Sequence, residues 1–221
     1  MKQWVDRLRI EKSLPSEGYR ALLTCRDAET MEYLHRQARE VAYTYFGNRI
    51  YIRGLIEISN CCRNNCYYCG IRKGNTHIER YRLSQETILE CCTQGYELGF
   101  RTFVLQGGED RLQSADWIEE TVSIIRKQFP DCAITLSLGE YPPEEYKRFF
   151  RAGANRYLLR HETYNQEHYS LLHPVEMSWK HRISCLESLK NIGFQTGTGI
   201  MVGSPGQTVE HLIDDIHFIS R

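Results

Sequence analysis

The chain has 221 residues, 41% of them hydrophobic and 25% charged, with 28 basic against 28 acidic side chains. That is enough apolar material for one core, and the balanced charge supplies no general attraction to nucleic acid. A mean hydropathy of -0.50, with no apolar run of about 18 residues, excludes a hydropathic membrane span.

The opening MKQWVDRLRIEKSLPSEGYR lacks the apolar segment of a secretory signal, so a cytoplasmic protein is expected. Cysteines in that compartment stay reduced, so the nine here are not expected to form disulfides. Residues 15–24 and 27–46 carry apolar residues at helical spacing, such as Leu34, Ala38, Val41, Ala42 and Tyr45, and Gly47-Asn48 ends that segment. An N-terminal helical part, residues 1–48, is expected to precede an α/β part, residues 49–221.

From residue 49 strands and helices alternate. RIYIRGLIEIS (49–59) is rich in β-branched and aromatic residues and predicts a strand. Ser84 caps an expected helix to about Leu98. RTFVLQ (101–106), CAITLSL (132–138), NRYLLRH (155–161) and the glycine-rich FQTGTGIMVG (194–203) predict four more strands. Helices are predicted at 114–129, stopped by Pro130, at 142–153, at 177–193, closed by Gly193, and from 208 onward. Alternation at this spacing implies parallel β-α-β units. Five such units are fewer than a closed eight-unit barrel, which takes about 250 residues. The pattern leaves either an open parallel sheet or a C-terminally truncated barrel with two unpaired edges, which invite association.

The segment NCCRNNCYYCGIRKGN after the first strand holds Cys62, Cys66 and Cys69 in C-x3-C-x2-C spacing, at the strand end where α/β proteins place their chemistry. Three thiolates on one loop suit an iron–sulfur cluster or zinc. A 4Fe-4S cube on three thiolates leaves one iron without a protein ligand and free to bind a small molecule. The competing structural reading is a zinc site completed by His77. Tyr68 before Cys69, Gly70 after it and the parallel scaffold favour the cluster. Cys61 offers an alternative C-x4-C register with Cys66, and Cys62 is preferred for the more specific spacing. Cys25, Cys91, Cys92, Cys132 and Cys185 fall in helix- or strand-like segments and are expected to be structural.

In NRYLLRHET, Arg156, Leu158 and Arg160 share one face and Tyr157, Leu159 and His161 the other. Arginine inside a barrel is costly unless it meets an anion. Arg160, and after it Arg156, is therefore expected to hold an anionic group, the alternative being an ion pair with Glu140 or Glu162. Gln106, at a strand end, points to the same mouth. Gly107 and Gly108 allow close backbone approach, a plain turn being the alternative. Met201 by itself reads as core, and Arg182 as a surface arginine.

The cysteine motif, with IEISNCCRNNCYYCGIRKGN, RYRLSQETI, VLQGGED, TLSLGE, RYLLRHET and GIMVGSPGQT, resembles the radical S-adenosylmethionine (SAM) superfamily, and within it the HydE group of FeFe-hydrogenase maturases. Methylornithine synthase and biotin synthase are the group's nearest relatives. The resemblance runs from about residue 15 to the last residue, and it implies a radical SAM β/α barrel of which this chain holds about five units and lacks the last three. It implies a 4Fe-4S cluster on Cys62, Cys66 and Cys69, and SAM chelating the free iron. SAM contacts are implied at Tyr68, Gln106, Gly107, Gly108, Glu109, Ser137, Glu140, Arg160, Glu162, Arg182 and Met201. Gly107-Gly108-Glu109 stands where the superfamily's GGE motif meets the methionine amino group, and Arg182 where the cofactor carboxylate lies. Glu162 is placed for ribose or ammonium, and Gly199, Met201 and Gly203 line a strand against which adenine could lie. The implied reaction is SAM cleavage to a 5′-deoxyadenosyl radical acting on sulfur of an iron-cysteine-CO-cyanide precursor. Its implied partners are an external electron donor and other hydrogenase maturation proteins, with no nucleic acid and no membrane. Another radical SAM enzyme, methylornithine synthase-like or biotin synthase-like, and a non-catalytic metal-binding fragment are the alternatives.

Overall fold

The computed structural model describes residues 1–221. In chain order the elements are α1 (Lys2–Glu11), α2 (Ser16–Leu23), α3 (Ala28–Phe46), β1 (Gly54–Ser59), α4 (Gln85–Glu97), β2 (Thr102–Gly107) and α5 (Ala115–Gln128). There follow β3 (Ala133–Ser137), α6 (Pro143–Ala152), β4 (Arg156–Leu158), α7 (Gln166–Leu172), α8 (Trp179–Ile192), β5 (Gln195–Gly197) and α9 (Val209–Ile219). The chain divides into two compact units, one made of Met1–Tyr51, Thr163–His168 and Met201–Arg221, the other of Ile52–Glu162 and Tyr169–Ile200.

The first unit is helical. Val5, Leu14, Tyr19, Leu22 and Ile213 are buried together, with Trp4, Leu8, Leu34 and Ile216 packed around them. Helix α1 precedes the two helical stretches expected from sequence, and Trp4, Val5 and Leu8 stand on it at helical spacing. Arg20 on α2 forks onto both oxygens of Glu210 on α9, at 2.7 Å each.

The second unit is a five-stranded sheet, all parallel, in the order β1-β2-β3-β4-β5. Strands β1 and β5 each have one partner, so the sheet has two open edges. One face is apolar: Ile56, Ile58, Phe103, Leu105, Ile134, Leu136 and Tyr157 are buried with Ile88, Val122, Ile125, Phe149 and Leu189 of α4, α5, α6 and α8. The other face carries Glu57, Gln106, Ser137 and Leu158, which line a cavity. The period-two alternation expected for NRYLLRHET is found, with Tyr157, Leu159 and His161 buried on the helix side.

Two strands are shorter than their hydrophobic pattern. Residues 49–53 are exposed and unpaired, because the register puts Gly54 beside Phe103 and β2 offers no partner further back. The 194–203 segment is strand only at Gln195–Gly197, matching the three residues of β4, and then makes a single bridge from Ile200 to Glu162. Helix boundaries follow their caps: Ser84, Ser114 and Ser178 accept from the backbone of Thr87, Trp117 and His181, and Gly153 and Gly193 close α6 and α8 in left-handed conformations.

Candidate active site

The loop between β1 and α4 is held in shape by its own polar residues. Arg80 donates to four carbonyls, those of Asn60 (2.5 Å), Ile71 (2.8 Å), Arg72 (2.8 Å) and Asn75 (3.0 Å). Asn60 closes the loop ends by accepting from the Tyr81 N–H and donating to the Glu79 carbonyl. Asn65 accepts from the Gly74 N–H, and the Lys73 N–H bonds to the Asn64 carbonyl at 2.8 Å. A curled loop whose backbone groups are bonded internally presents its cysteines inward at low conformational cost.

Cys62, Cys66 and Cys69 all line one cavity of ≈ 570 Å³ on the polar face of the sheet. That size suits a small-molecule ligand. All nine cysteines are free thiols. Burial raises the Cys62 thiol above its ordinary value and the Cys66 thiol to about 11; such thiols need a positive centre to become thiolates. Cys61 lies outside the cavity lining, with its sulfur 3.7 Å from the Tyr81 carbonyl. His77 is exposed and also outside it, so the zinc set with His77 is not assembled.

The same cavity is lined by Tyr68, Gln106, Gly107, Gly108, Glu109, Ser137, Arg160, Glu162 and Arg182. Gly108 sits tight against the cysteine loop: a Cβ there would overlap the Cys61 carbonyl oxygen and lie 2.6 Å from Cys62 Cβ. The next residue reaches back, the Arg63 N–H donating to the Glu109 carbonyl at 2.9 Å. Glu109 is buried, accepts from Arg63 Nε at 3.1 Å and from the Glu140 N–H at 3.0 Å, and its side chain packs under Gly139 (φ +86°), where a Cβ would come within 2.6 Å of Glu109 Cδ. Asp110 is a pin rather than a cavity residue: Arg82 forks onto it at 2.5 and 3.0 Å and Ser59 Oγ donates at 3.0 Å.

Arg182 is the buried cation of the cavity wall. Its Nε stands 2.6 Å from Glu140 Oε1, and Nη2 is 4.0 Å from Glu109 Oε1. Burial works to lower its pKa, but Glu140 and Glu109 outweigh it and keep the guanidinium charged. Burial raises Glu140 despite Arg182. Glu140 is absent from the cavity lining and acts on it through Arg182. Arg160 is 3.7 Å from Glu162 with its side chain 63% exposed, so it combines a weak ion pair with a free approach to the cavity. Arg156 donates to Gln195 Oε1 at 2.6 Å and lies outside the cavity lining. Met201 belongs to the first unit and is not among the cavity residues.

Glu162 has two features that sequence could not show. Its backbone is left-handed (φ 65°), a conformation that is strained in a residue with a side chain. Its Oε2 is buried and accepts no hydrogen bond, and burial raises its pKa in spite of Arg160 and Arg182. A buried acceptor in a cavity wall fits an incoming donor such as an ammonium or a ribose hydroxyl.

His173 is a further residue missed in sequence. It is buried and stacked on Tyr169 at 3.8 Å, and its Nδ1 bonds to the Tyr169 carbonyl at 2.9 Å. That bond fixes the proton on Nδ1, so Nε2 accepts from the Tyr68 hydroxyl at 3.1 Å. The neighbouring Leu172 carbonyl accepts from the Tyr67 N–H at 3.0 Å, and Met177 Sδ touches Cys66 Sγ at 3.6 Å. The stretch from Tyr169 to Met177 therefore buttresses the cysteine loop. The only sequence hint was a histidine before proline in LLHP.

The radical SAM superfamily model matches residues 56–219, about three quarters of the chain. The chain belongs to the radical SAM superfamily. Members of this superfamily use a 4Fe-4S cluster and SAM, and the three free thiols facing one cavity with a buried arginine and a buried carboxylate oxygen that accepts no hydrogen bond fit both. Within the superfamily the chain is 43% identical over 205 residues to the [FeFe] hydrogenase maturase subunit HydE of Thermotoga maritima, covering 93% of this chain and 58% of that protein. It is 33% identical over 205 residues to 3-methylornithine synthase of Methanosarcina acetivorans, covering 92% of this chain and 57% of that protein. The crystal structure of methylornithine synthase PylB superposes with a TM-score of 0.90 at 30% identity, over 98% of this chain and 64% of that one. The chain thus spans a little over half the length of these curated relatives. No helix is long and apolar enough to cross a membrane.

Proposed function

We propose that this chain carries the cluster and SAM site of a HydE-type enzyme, which generates a 5′-deoxyadenosyl radical and directs it at an iron-cysteine-CO-cyanide precursor during FeFe-hydrogenase active-site assembly. The observation that carries the reading is the convergence of Cys62, Cys66 and Cys69 on one cavity walled by Arg182 and Glu162. The assembly role is supported by the 43% identity to HydE. Bound there, the cluster and SAM supply one-electron cleavage of a sulfonium carbon–sulfur bond, with the electron from an external donor.

The chain's own residues bind and orient. Cys62, Cys66 and Cys69 would hold the cluster through their thiolates. Gly107 and Gly108 bring backbone against the ligand, with Glu109 at the methionine amino group. Arg182, held by Glu140, offers its remaining guanidinium donors to the methionine carboxylate. Glu162 accepts from ribose or ammonium through the oxygen that has no partner. Tyr68, Gln106 and Ser137 line the same cavity as further cofactor contacts. Arg160, exposed and lightly paired, takes an anionic group of the substrate or of the cofactor. The other hydrogenase maturation proteins are the expected partners of the whole enzyme.

Anaerobic reconstitution tests this. About four irons per chain are expected, with little or no release of 5′-deoxyadenosine from SAM by these 221 residues alone, since a five-stranded sheet with two open edges does not keep water from a radical; robust turnover by them would contradict that last point. Zinc uptake without iron would overturn the radical reading. The second reading, an enzyme of the methylornithine synthase type, rests on the 33% identity to 3-methylornithine synthase, and the substrate turned over by a protein of the relatives' full length decides between the two. Cys62→Ala should abolish iron uptake and Cys61→Ala should retain it; the reverse result would overturn the ligand register.

A further inference from the structure

We propose that Glu140, His181 and Cys185 form a binding site for one zinc-class divalent cation, separate from the three-cysteine loop. His181 and Cys185 stand four residues apart on α8, which sets them on one face of the helix. Glu140 meets them from the loop after β3. His181 Nε2 is 3.5 Å from Glu140 Oε2 and 3.6 Å from Cys185 Sγ, and all three donor atoms lie within 4.8 Å of one another. In a tetrahedral zinc centre of ordinary bond lengths, nitrogen and sulfur ligands stand about 3.6 Å apart and nitrogen and oxygen about 3.4 Å. Two edges of the tetrahedron are therefore already at length, and a small rotation of a side chain closes the third.

The donors choose the metal. Thiolate, imidazole and carboxylate together suit zinc or cobalt, whereas magnesium and calcium want oxygen alone. The charges also balance: one thiolate and one carboxylate neutralise a doubly charged ion. Arg182 holds Glu140 through Oε1 at 2.6 Å, which leaves Oε2 for the metal, so the two cations share the carboxylate through different oxygens. Cys185 and Glu140 are shielded from solvent, while the His181 side chain is 58% exposed. The exposed side gives the metal its entry and leaves the fourth position to water. On binding, the Cys185 S–H bond breaks, its proton passes to solvent and a sulfur–metal bond forms, with no change of oxidation state. The bound ion ties α8 to the loop after β3 and fixes Glu140 against Arg182. The inference does not depend on the radical function: the metal would bind whether or not the cluster forms.

The test uses zinc itself, counted per chain by atomic emission after dialysis, in a Cys62→Ala, Cys66→Ala, Cys69→Ala background that removes the cluster thiols. One zinc per chain is expected, and cobalt in its place should give a thiolate-to-metal charge-transfer band. Adding His181→Gln or Cys185→Ser should weaken zinc binding at least tenfold and remove that band. Should the triple variant not fold, the same count on the otherwise wild-type chain decides the matter, since His181→Gln changes an exposed residue and should lower the zinc content by one. No zinc in the triple variant while folded, or a count that His181→Gln leaves unchanged, overturns the proposal.

Discussion

Replacing Gly108 by alanine tests the close approach on which the site is built. The added Cβ would overlap the Cys61 carbonyl oxygen and lie 2.6 Å from Cys62 Cβ. Backbone cannot yield as the tip of a flexible side chain can, so the cysteine loop or the turn after β2 must move. Overpacking of this kind costs about 1–3 kcal/mol, which in a chain of this length lowers the thermal midpoint by about 2–4 °C per kcal/mol. The larger effect should be on metal uptake, because the displaced atoms belong to Cys62 and its neighbour. We expect Gly108→Ala to fold with a lowered midpoint and to take up less than half the iron of the wild-type chain on anaerobic reconstitution. Gly70→Ala is the matched control within the loop, since a Cβ there meets nothing within 4 Å; it should reconstitute normally. If Gly108→Ala keeps full iron content and the wild-type midpoint, Gly108 does not abut the cysteine loop and the close approach does not exist.

Other consequences can be measured directly. Burial lowers His173 to about 4 from an ordinary value of about 6.5, so the unfolded chain binds the extra proton first as pH falls. Its contribution is intact above about pH 6.5 and is lost toward pH 4, about 3 kcal/mol in all. His168, also lowered by burial, adds to the same slope. His173→Phe should flatten that slope in chemical denaturation between pH 4 and 6.5 and, by leaving the Tyr68 hydroxyl without its acceptor, cost about 1–3 kcal/mol at pH 7.5; an unchanged pH dependence would contradict the buried neutral imidazole. Glu162 has the opposite sign. Its pKa is raised by burial, so the folded chain loses stability as pH climbs from the ordinary carboxylate value through the raised one. Glu162→Gln should remove that loss and be at least as stable as wild type at pH 8, while binding SAM at least tenfold more weakly by equilibrium dialysis; unaltered SAM affinity would take Glu162 out of the site.

The alternation of strands with helices was enough to fix the α/β class, while the C-x3-C-x2-C spacing of Cys62, Cys66 and Cys69 left iron–sulfur and zinc both open and the resemblance of the surrounding motifs pointed to the chemistry. Ligand spacing and hydrophobic period are local properties, carried by neighbouring residues whatever the rest of the chain does. The alternation in NRYLLRHET likewise separates Arg160, on the cavity side, from Tyr157, on the helix side. Other features needed the fold. Strand lengths were set by partners: residues 49–53 have strand composition and no neighbour. Arg182 looks like an ordinary surface arginine on α8 until the loop after β3 brings Glu140 to within 2.6 Å of it. The left-handed backbone of Glu162 and its unpartnered oxygen have no signature in the letters RHET.

The sequence by itself thus marked Cys62, Cys66 and Cys69 as candidate ligands of a metal centre, because a ligand set is a matter of side-chain chemistry at short spacing. Tertiary structure alone decided which charges are buried together, since Arg182 and Glu140, His173 and Tyr68, or Cys185 and Glu140 lie far apart along the chain. Desolvation, which sets their charge states and their cost, exists only once those segments are packed.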